Sequence, residues 1–225
     1  MVVLIGDNGI ALGENGMFGK DTNFDIAARV PVVFHIPWLA AQGANKNKNQ
    51  VTRFGDMFQL TDLMTTLTSM MNVPLDSRFP YHGVNHSPRL ALAASGKTLN
   101  NVSIPPARTM AFSQIVRCTI QSICTFIPFN QMSHVGYSIR TDEWRYSVYL
   151  KLAKGVVQWN AGIVSEELYS HHDDSETLLN YERGANFEVE VINLAPQNPK
   201  ICAEMFELIK QRFKVKYTVG LELLA

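Results

Sequence analysis

Residues 2–20 read VVLIGDNGIALGENGMFGK, and this stretch decides how the rest of the chain is read. Val2 to Ile5 are a continuous apolar run of strand length, the pattern of a strand buried on both faces in a parallel sheet with neighbours and covering helices. Five glycines (Gly6, Gly9, Gly13, Gly16 and Gly19) fall in the next 14 residues. Such a loop lets backbone approach a ligand closely, because glycine has no Cβ. In open α/β sheets ligands sit just beyond the carboxyl ends of strands, which is where Asp7 and Asn8 fall. A carboxylate beside an amide oxygen supplies hard ligands for a divalent cation, and Lys20, at the end of the glycine loop, suits an anionic oxygen. Asp-Asn-Gly is also ordinary turn chemistry that requires no metal.

Downstream, Val30–Ile36 predicts a second apolar strand and residues 43–50 a polar Lys/Asn-rich connection. A helix is expected from Thr61, with Asp62 at the positive end of its dipole and Leu63, Leu67, Met70 and Met71 on one face. Residues 72–108 are rich in Pro, Asn and Ser, with one short helix near Leu90–Ala94, and a domain boundary is expected there. Period-2 patterning then takes over. Trp144, Tyr146, Val148, Leu150 and Leu152 alternate with Arg145, Ser147, Tyr149 and Lys151, the signature of a half-buried antiparallel strand. Met110–Val116 and Gly136–Arg140 are its expected companions. Asn198-Pro199 opens a last helix, with Ile201, Met205, Leu208 and Ile209 toward the core.

With 225 residues, 46% hydrophobic and 18% charged, the chain is long enough to bury a core and too weakly charged for a disordered one. Its 20 basic and 20 acidic residues balance, leaving no electrostatic footprint for nucleic acid. No apolar run approaches the roughly 20 residues of a membrane span. The first residues have neither the charge nor the length of a signal peptide, and a strand beginning so early suggests that a preceding part is missing. Three cysteines do not make a disulfide scaffold. Cys118 and Cys124 could pair in an oxidising compartment, but spacing does not decide it.

Several polar groups read as structural. His171-His172-Asp173-Asp174 is expected to be a solvated loop, because adjacent side chains rarely converge on one ion. His82 and His86 lack the helix and glutamate of a zinc-protease motif and read as loop histidines. His35, among apolar neighbours, reads as a core residue. Asn101-Val102-Ser103 fits the glycosylation sequon, as does Asn85-His86-Ser87, although Pro88 follows.

The segment VVLIGDNGIALGENGMFGKDTNFDIAARVPVVFHIP resembles the metal-site and lysine region of the type I sulfatases, relatives of alkaline phosphatase. FQLTDLMTTLTSMMNVPL resembles the helix that follows it in that family. AFSQIVR and GYSIRTDEWRYSVYL look like segments of a lysosomal member that acts on glycosaminoglycans, and EELYSHHDDSET with VINLAPQNPK is similar to the family's closing elements. The resemblance implies an α/β, alkaline phosphatase-like fold: a mostly parallel sheet remnant in residues 1–108, the C-terminal part of the catalytic domain, and a small antiparallel sheet with a C-terminal helix in 109–225. It implies Asp7 and Asn8 as calcium ligands and Lys20 as a catalytic, sulfate-holding residue. Arg117 matches an arginine that is either a substrate contact or a structural ion pair. A sulfated glycosaminoglycan substrate, a lysosomal or secretory location and glycosylation at Asn101 follow from the same resemblance.

The family's nucleophile, a formylglycine made from cysteine in Cys-x-Pro/Ala-x-Arg, is absent: none of Cys118, Cys124 and Cys202 stands in that context. The chain therefore reads as the carboxy-terminal half of a sulfatase, from a partial gene model or a truncated paralogue, and as inactive alone. A phosphoryl-transfer relative of the same fold and a non-catalytic binding remnant are the alternative readings.

Overall fold

A computed structural model describes residues 1–42, 51–52, 54–95, 106–117, 128–172 and 190–214. Cys118, Cys124, Asn101, Asp173 and Asp174 lie outside them. The chain divides into two compact units, Met1–Gly6 with Pro31–Ala111 and Asp7–Val30 with Phe112–Ala225. The glycine loop groups with the later part of the chain and not with the strand that precedes it.

In the first unit, β1 (Val2–Ile5) pairs with β4 (Val32–His35), Val3 opposite Phe34 and Leu4 opposite Val33. The pairing is antiparallel, where a parallel remnant was expected. An apolar run carries no strand direction, so the sequence could not distinguish the two, and the strand expected to be buried on both faces leaves Val2, Leu4 and Ile5 exposed. Phe34 turns inward onto Phe58, ring centroids 5.9 Å apart. Val33 and His35 take the other side and are exposed. His35 is therefore not the core residue its apolar neighbours suggested.

Helices α2 (Pro37–Gln42), α3 (Asp62–Met70) and α4 (Ser87–Ser95) complete this unit. The expected apolar face of α3 is not its buried one. Leu63, Leu67 and Met70 are half-buried and Met71 is exposed, whereas Asp62, Thr65 and Thr66 are buried. The helix packs on the backbone of residues 84–86, which needs polar partners. Val84 N–H donates to Asp62 Oδ1 at 2.7 Å, His86 N–H to Thr66 Oγ1 at 3.1 Å, and Thr65 Oγ1 donates to the Val84 carbonyl at 3.0 Å. His86 lies in the loop ahead of α4, as expected, but is buried there at 1% exposed. Its Nε2 lies 3.1 Å from Asp62 Oδ2, and its ring packs against Phe54 and Phe58.

The second unit is built on a five-stranded antiparallel sheet in the order β5 (Met110–Arg117), β6 (His134–Thr141), β7 (Trp144–Ala153), β8 (Val156–Val157), with β9 (Ser165–Ser170) also paired to β7. The strand expected at Trp144–Leu152 is its centre. Ile139 faces Tyr146, Tyr137 faces Val148 and Val135 faces Leu150 across the ladder, all at most 2% exposed. Their common face carries α5 (Pro199–Phe213), whose Cys202, Met205 and Ile209 are buried. Asn198 precedes Pro199 as expected, but its Nδ2 donates to the Leu194 carbonyl at 2.9 Å and it makes no side-chain cap bond. The opposite face departs from the half-buried expectation: Ser138, Arg140, Arg145 and Ser147 are buried too. Fold and composition are those of a mixed α/β chain with antiparallel sheets and a C-terminal helix.

Asp62 provides a stability test. Burial opposes its ionisation, but the His86 ring, the Gln59 and Val84 amides and the Arg108 guanidinium together hold the carboxyl below its usual value of 3.8. Its contribution is therefore fully present above about pH 4 and is lost as pH falls through the lowered native value. Asp62→Asn leaves Arg108 and His86 without the carboxylate and should cost about 3–5 kcal/mol in urea unfolding at pH 7. The difference from wild type should shrink at acid pH.

Candidate functional site

The second unit carries Asp7, Asn8 and Lys20. The glycine-rich loop is an ordered hairpin: β2 (Ala11–Leu12) pairs with β3 (Phe18–Gly19), Ala11 opposite Gly19, around a 3₁₀ turn at Glu14–Gly16. Gly13 takes φ 130° and accepts Gly16 N–H at 3.0 Å, closing the turn. Glu14 Oε2 accepts Leu12 N–H at 2.6 Å, which lowers the Glu14 pKa. Because Ala11 and Gly19 are the paired ends, Lys20 and the Asp7–Asn8 segment leave the hairpin from the same end.

Asp7 is exposed, Asn8 half-buried and Lys20 exposed. Asp7 Oδ1 accepts the N–H of the next residue, Asn8, at 2.9 Å. The donor set is oxygen only, a carboxylate and an amide carbonyl, which suits a hard cation such as calcium. Among the described residues Asp7 does not gather with two further His, Cys, Asp or Glu side chains. The next residue is held tightly. Gly9 N–H donates to the Ala27 carbonyl at 2.9 Å, and a Cβ at Gly9 would collide with the Ile26 carbonyl oxygen. Those carbonyls belong to α1 (Asp25–Ala28).

Beyond Lys20 the segment lies on the polar face of the sheet. Arg117 donates to the Asp21 carbonyl, the residue that follows Lys20. Asn23 Nδ2 reaches the Gly136 carbonyl at 3.4 Å, and Phe24 packs on Tyr169. Asp25 enters a charge cluster that sequence reasoning missed. The Arg145 guanidinium pairs with both Asp25 and Glu190 and donates to Ser138 Oγ at 3.2 Å. Arg140 Nε lies 3.5 Å from Asp25, and Glu190 Oε2 accepts the Asp25 N–H at 2.6 Å. Glu190 has φ 66°, a left-handed conformation costing about 1–3 kcal/mol in a non-glycine residue.

His171 belongs to this cluster and not to a solvated loop. It is 2% exposed, with Nε2 3.1 Å from Glu190 Oε1, while His172 is exposed and packs edge-on to Trp144. Sequence position hid the difference: His171 follows β9 and points inward, its neighbour outward. Asp25, His171 and Glu190 offer ligand atoms within 4.8 Å of one another. Arg145 already bonds both carboxylates, and Arg140 adds a second cation, so the arginines supply the positive charge that a metal would bring. We read an ion-pair network there. Nearby, burial first and the Glu190 charge second push the Glu167 carboxyl above its ordinary range.

The first unit holds an open cleft of about 280 Å³ lined by Thr65, Ser69, Leu75 and Asn85, among others. Asn85 of the second sequon is engaged there: its Nδ2 lies 3.0 Å from Ser69 Oγ and its Oδ1 accepts Ser87 N–H.

No protein-family model matches the chain. Two curated relatives do: iduronate 2-sulfatase of Mus musculus, 26% identical over 180 residues, and that of Homo sapiens, 27% identical over 180 residues. Each match covers 67% of this chain and 32% of the relative, so the chain spans about a third of their length. Among solved structures, a candidate sulfatase from Bacteroides thetaiotaomicron superposes with TM-score 0.56 at 21% identity, covering 94% of this chain and 35% of its own. The chain is similar to the sulfatases in sequence and in fold. Within this sulfatase fold the hairpin end and the segment behind it are the candidate site.

Gly9 tests the packing behind that site. Gly9→Ala must move the backbone of Asp7–Gly9 or of α1, and should cost at least about 1–3 kcal/mol in denaturant unfolding. A neutral substitution would mean that the segment does not press on α1.

Proposed function

We propose that this chain serves sulfuric ester hydrolysis of the iduronate 2-sulfatase kind, on sulfated glycosaminoglycan sugars, in a lysosomal or secretory protein. The observation that carries the reading is the hairpin, which sends Asp7, Asn8 and Lys20 out from one end in a chain with a sulfatase fold. Asp7 and Asn8 would hold calcium through their carboxylate and amide oxygens. Bound calcium supplies Lewis-acid stabilisation of charge on the sulfate oxygens.

Lys20, exposed at the end of β3, holds an anionic sulfate oxygen as a point charge. The Arg117 guanidinium, bonded to the carbonyl of Asp21, the residue after Lys20, would add a second cation for the sulfated substrate. The Asn8 N–H bond to Asp7 Oδ1 ties the carboxylate to the backbone of its proposed partner. The chain contributes binding and orientation and leaves the nucleophile to a formylglycine that none of its cysteines can form. Cys202 is buried in α5, where burial and then the Glu166 charge push its thiol up to about 11. We infer that residues 1–225 alone do not turn over sulfate esters. A glycan at Asn101 accords with the secretory reading.

In a full-length sulfatase carrying this segment, Asp7→Ala should abolish turnover of a sulfated iduronate substrate. Lys20→Ala should lower kcat by roughly 10²–10³, the scale of one lost oxyanion donor. Unchanged turnover in either variant would overturn the assignment. For residues 1–225 alone, calorimetry should give calcium binding weaker than micromolar, because calcium takes six to eight oxygens and this pair supplies about three. Hydrolysis of an aryl sulfate by the isolated chain would refute its dependence on an external nucleophile.

A further inference from the structure

Arg145 stands directly opposite Arg140 across the β6–β7 ladder, and the two are 3% and 8% exposed. Two buried like charges at adjacent positions persist only where anions lie between them. One of those anions, Glu190, precedes the loop that leads to α5. The other, Asp25, is not on the sheet at all: it opens α1, in the same segment as Asp7, Asn8 and Lys20.

From Arg145 to the candidate ligands the path is short and continuous. Arg145 pairs with Asp25. Asp25 begins the single turn of α1, and Ala27 in that turn accepts the Gly9 N–H at 2.9 Å. Gly9 presses against the Ile26 carbonyl so closely that no side chain fits, and Asn8 and Asp7 follow directly in the chain. Glu190 reinforces the same turn by accepting the Asp25 N–H while it pairs with Arg145. Three different nitrogens of one guanidinium thus serve Asp25, Glu190 and Ser138, a division of labour that only the planar fork of arginine can make.

We propose that Arg145 is the positioning residue of the Asp7–Asn8 pair, acting through Asp25 and α1; this rests on reading that pair as metal ligands. The guanidinium fixes where α1 sits on the sheet, and α1 fixes where Gly9, and with it the two oxygen donors, leaves the surface. It touches neither ligand nor substrate.

Hydrogen exchange on residues 1–225 tests this without requiring activity. In Arg145→Met and in Asp25→Asn, the Gly9 amide should exchange roughly tenfold faster or more, while the Cys202 and Ile209 amides of α5 keep their protection. Arg145→Lys, which restores charge but not the fork, should fall between. Asp25→Asn removes only the partner on the segment, so it decides the question if Arg145→Met fails to fold. Unchanged Gly9 exchange in both variants would overturn the proposal. So would a rise that α5 shares in full, which a merely core-filling arginine would give. The two readings fail separately. Full turnover by Asp7→Ala in a full-length sulfatase removes the ligand assignment and leaves the exchange result standing. Unchanged Gly9 exchange beside an inactive Asp7→Ala removes only the role of Arg145.

Discussion

The contact between Arg145 and the two carboxylates of Asp25 and Glu190 is the constraint on which the second unit depends. A buried arginine facing another across a ladder cannot be left unpaired, because an uncompensated interior charge costs several kcal/mol. The sheet therefore requires two acids from elsewhere in the chain. Asp25 comes from a segment well ahead of the sheet, 120 residues before Arg145 in the chain. Glu190 comes after it and adopts a left-handed backbone to arrive. The residues proposed to meet calcium and sulfate thus belong to a segment held by the electrostatics of a sheet they are not part of.

The two faces of that sheet divide the work. On one, Val135, Ile139, Tyr146, Val148 and Leu150 meet Met205 and Ile209 of α5, and burial of apolar surface at about 25 cal/mol per Å² supplies the drive to fold. Such packing tolerates shifts of register and rotation. On the other, Arg140, Arg145 and His171 each meet a carboxylate of Asp25 or Glu190, and Ser147 bonds Ser138. A buried ionic network adds little net stability. Its consequence here is a single location for α1, for Gly9 and so for Asp7.

The first unit repeats the device on a smaller scale. Asp62 accepts from Gln59, Val84, His86 and Arg108, and so joins α3 to the backbone ahead of α4. The β1–β4 ribbon has no such closure. Val2, Leu4 and Val33 are 64%, 66% and 53% exposed, an apolar face and edge of the kind that folded proteins cover.

Much of this was legible in the residues. The alternation from Trp144 to Leu152 set a central strand, Asn198-Pro199 set the start of the last helix, and motif likeness pointed to the sulfatases. Periodicity is a local property and set the element type at these positions, but not which face of α3 is buried or that both faces of β7 are. Strand direction did not follow, because Val2–Ile5 is equally apolar in either pairing. Nor did the fate of the polar residues. Arg140 and Arg145 announced a need for acids, but nothing in their neighbourhood said that Asp25 and Glu190 would answer it. His86 and His171, set in loop-like sequence, became buried for the same reason. Whether a charged or polar side chain is solvated or enclosed depends on which distant segment covers it, and that covering is decided by tertiary structure alone.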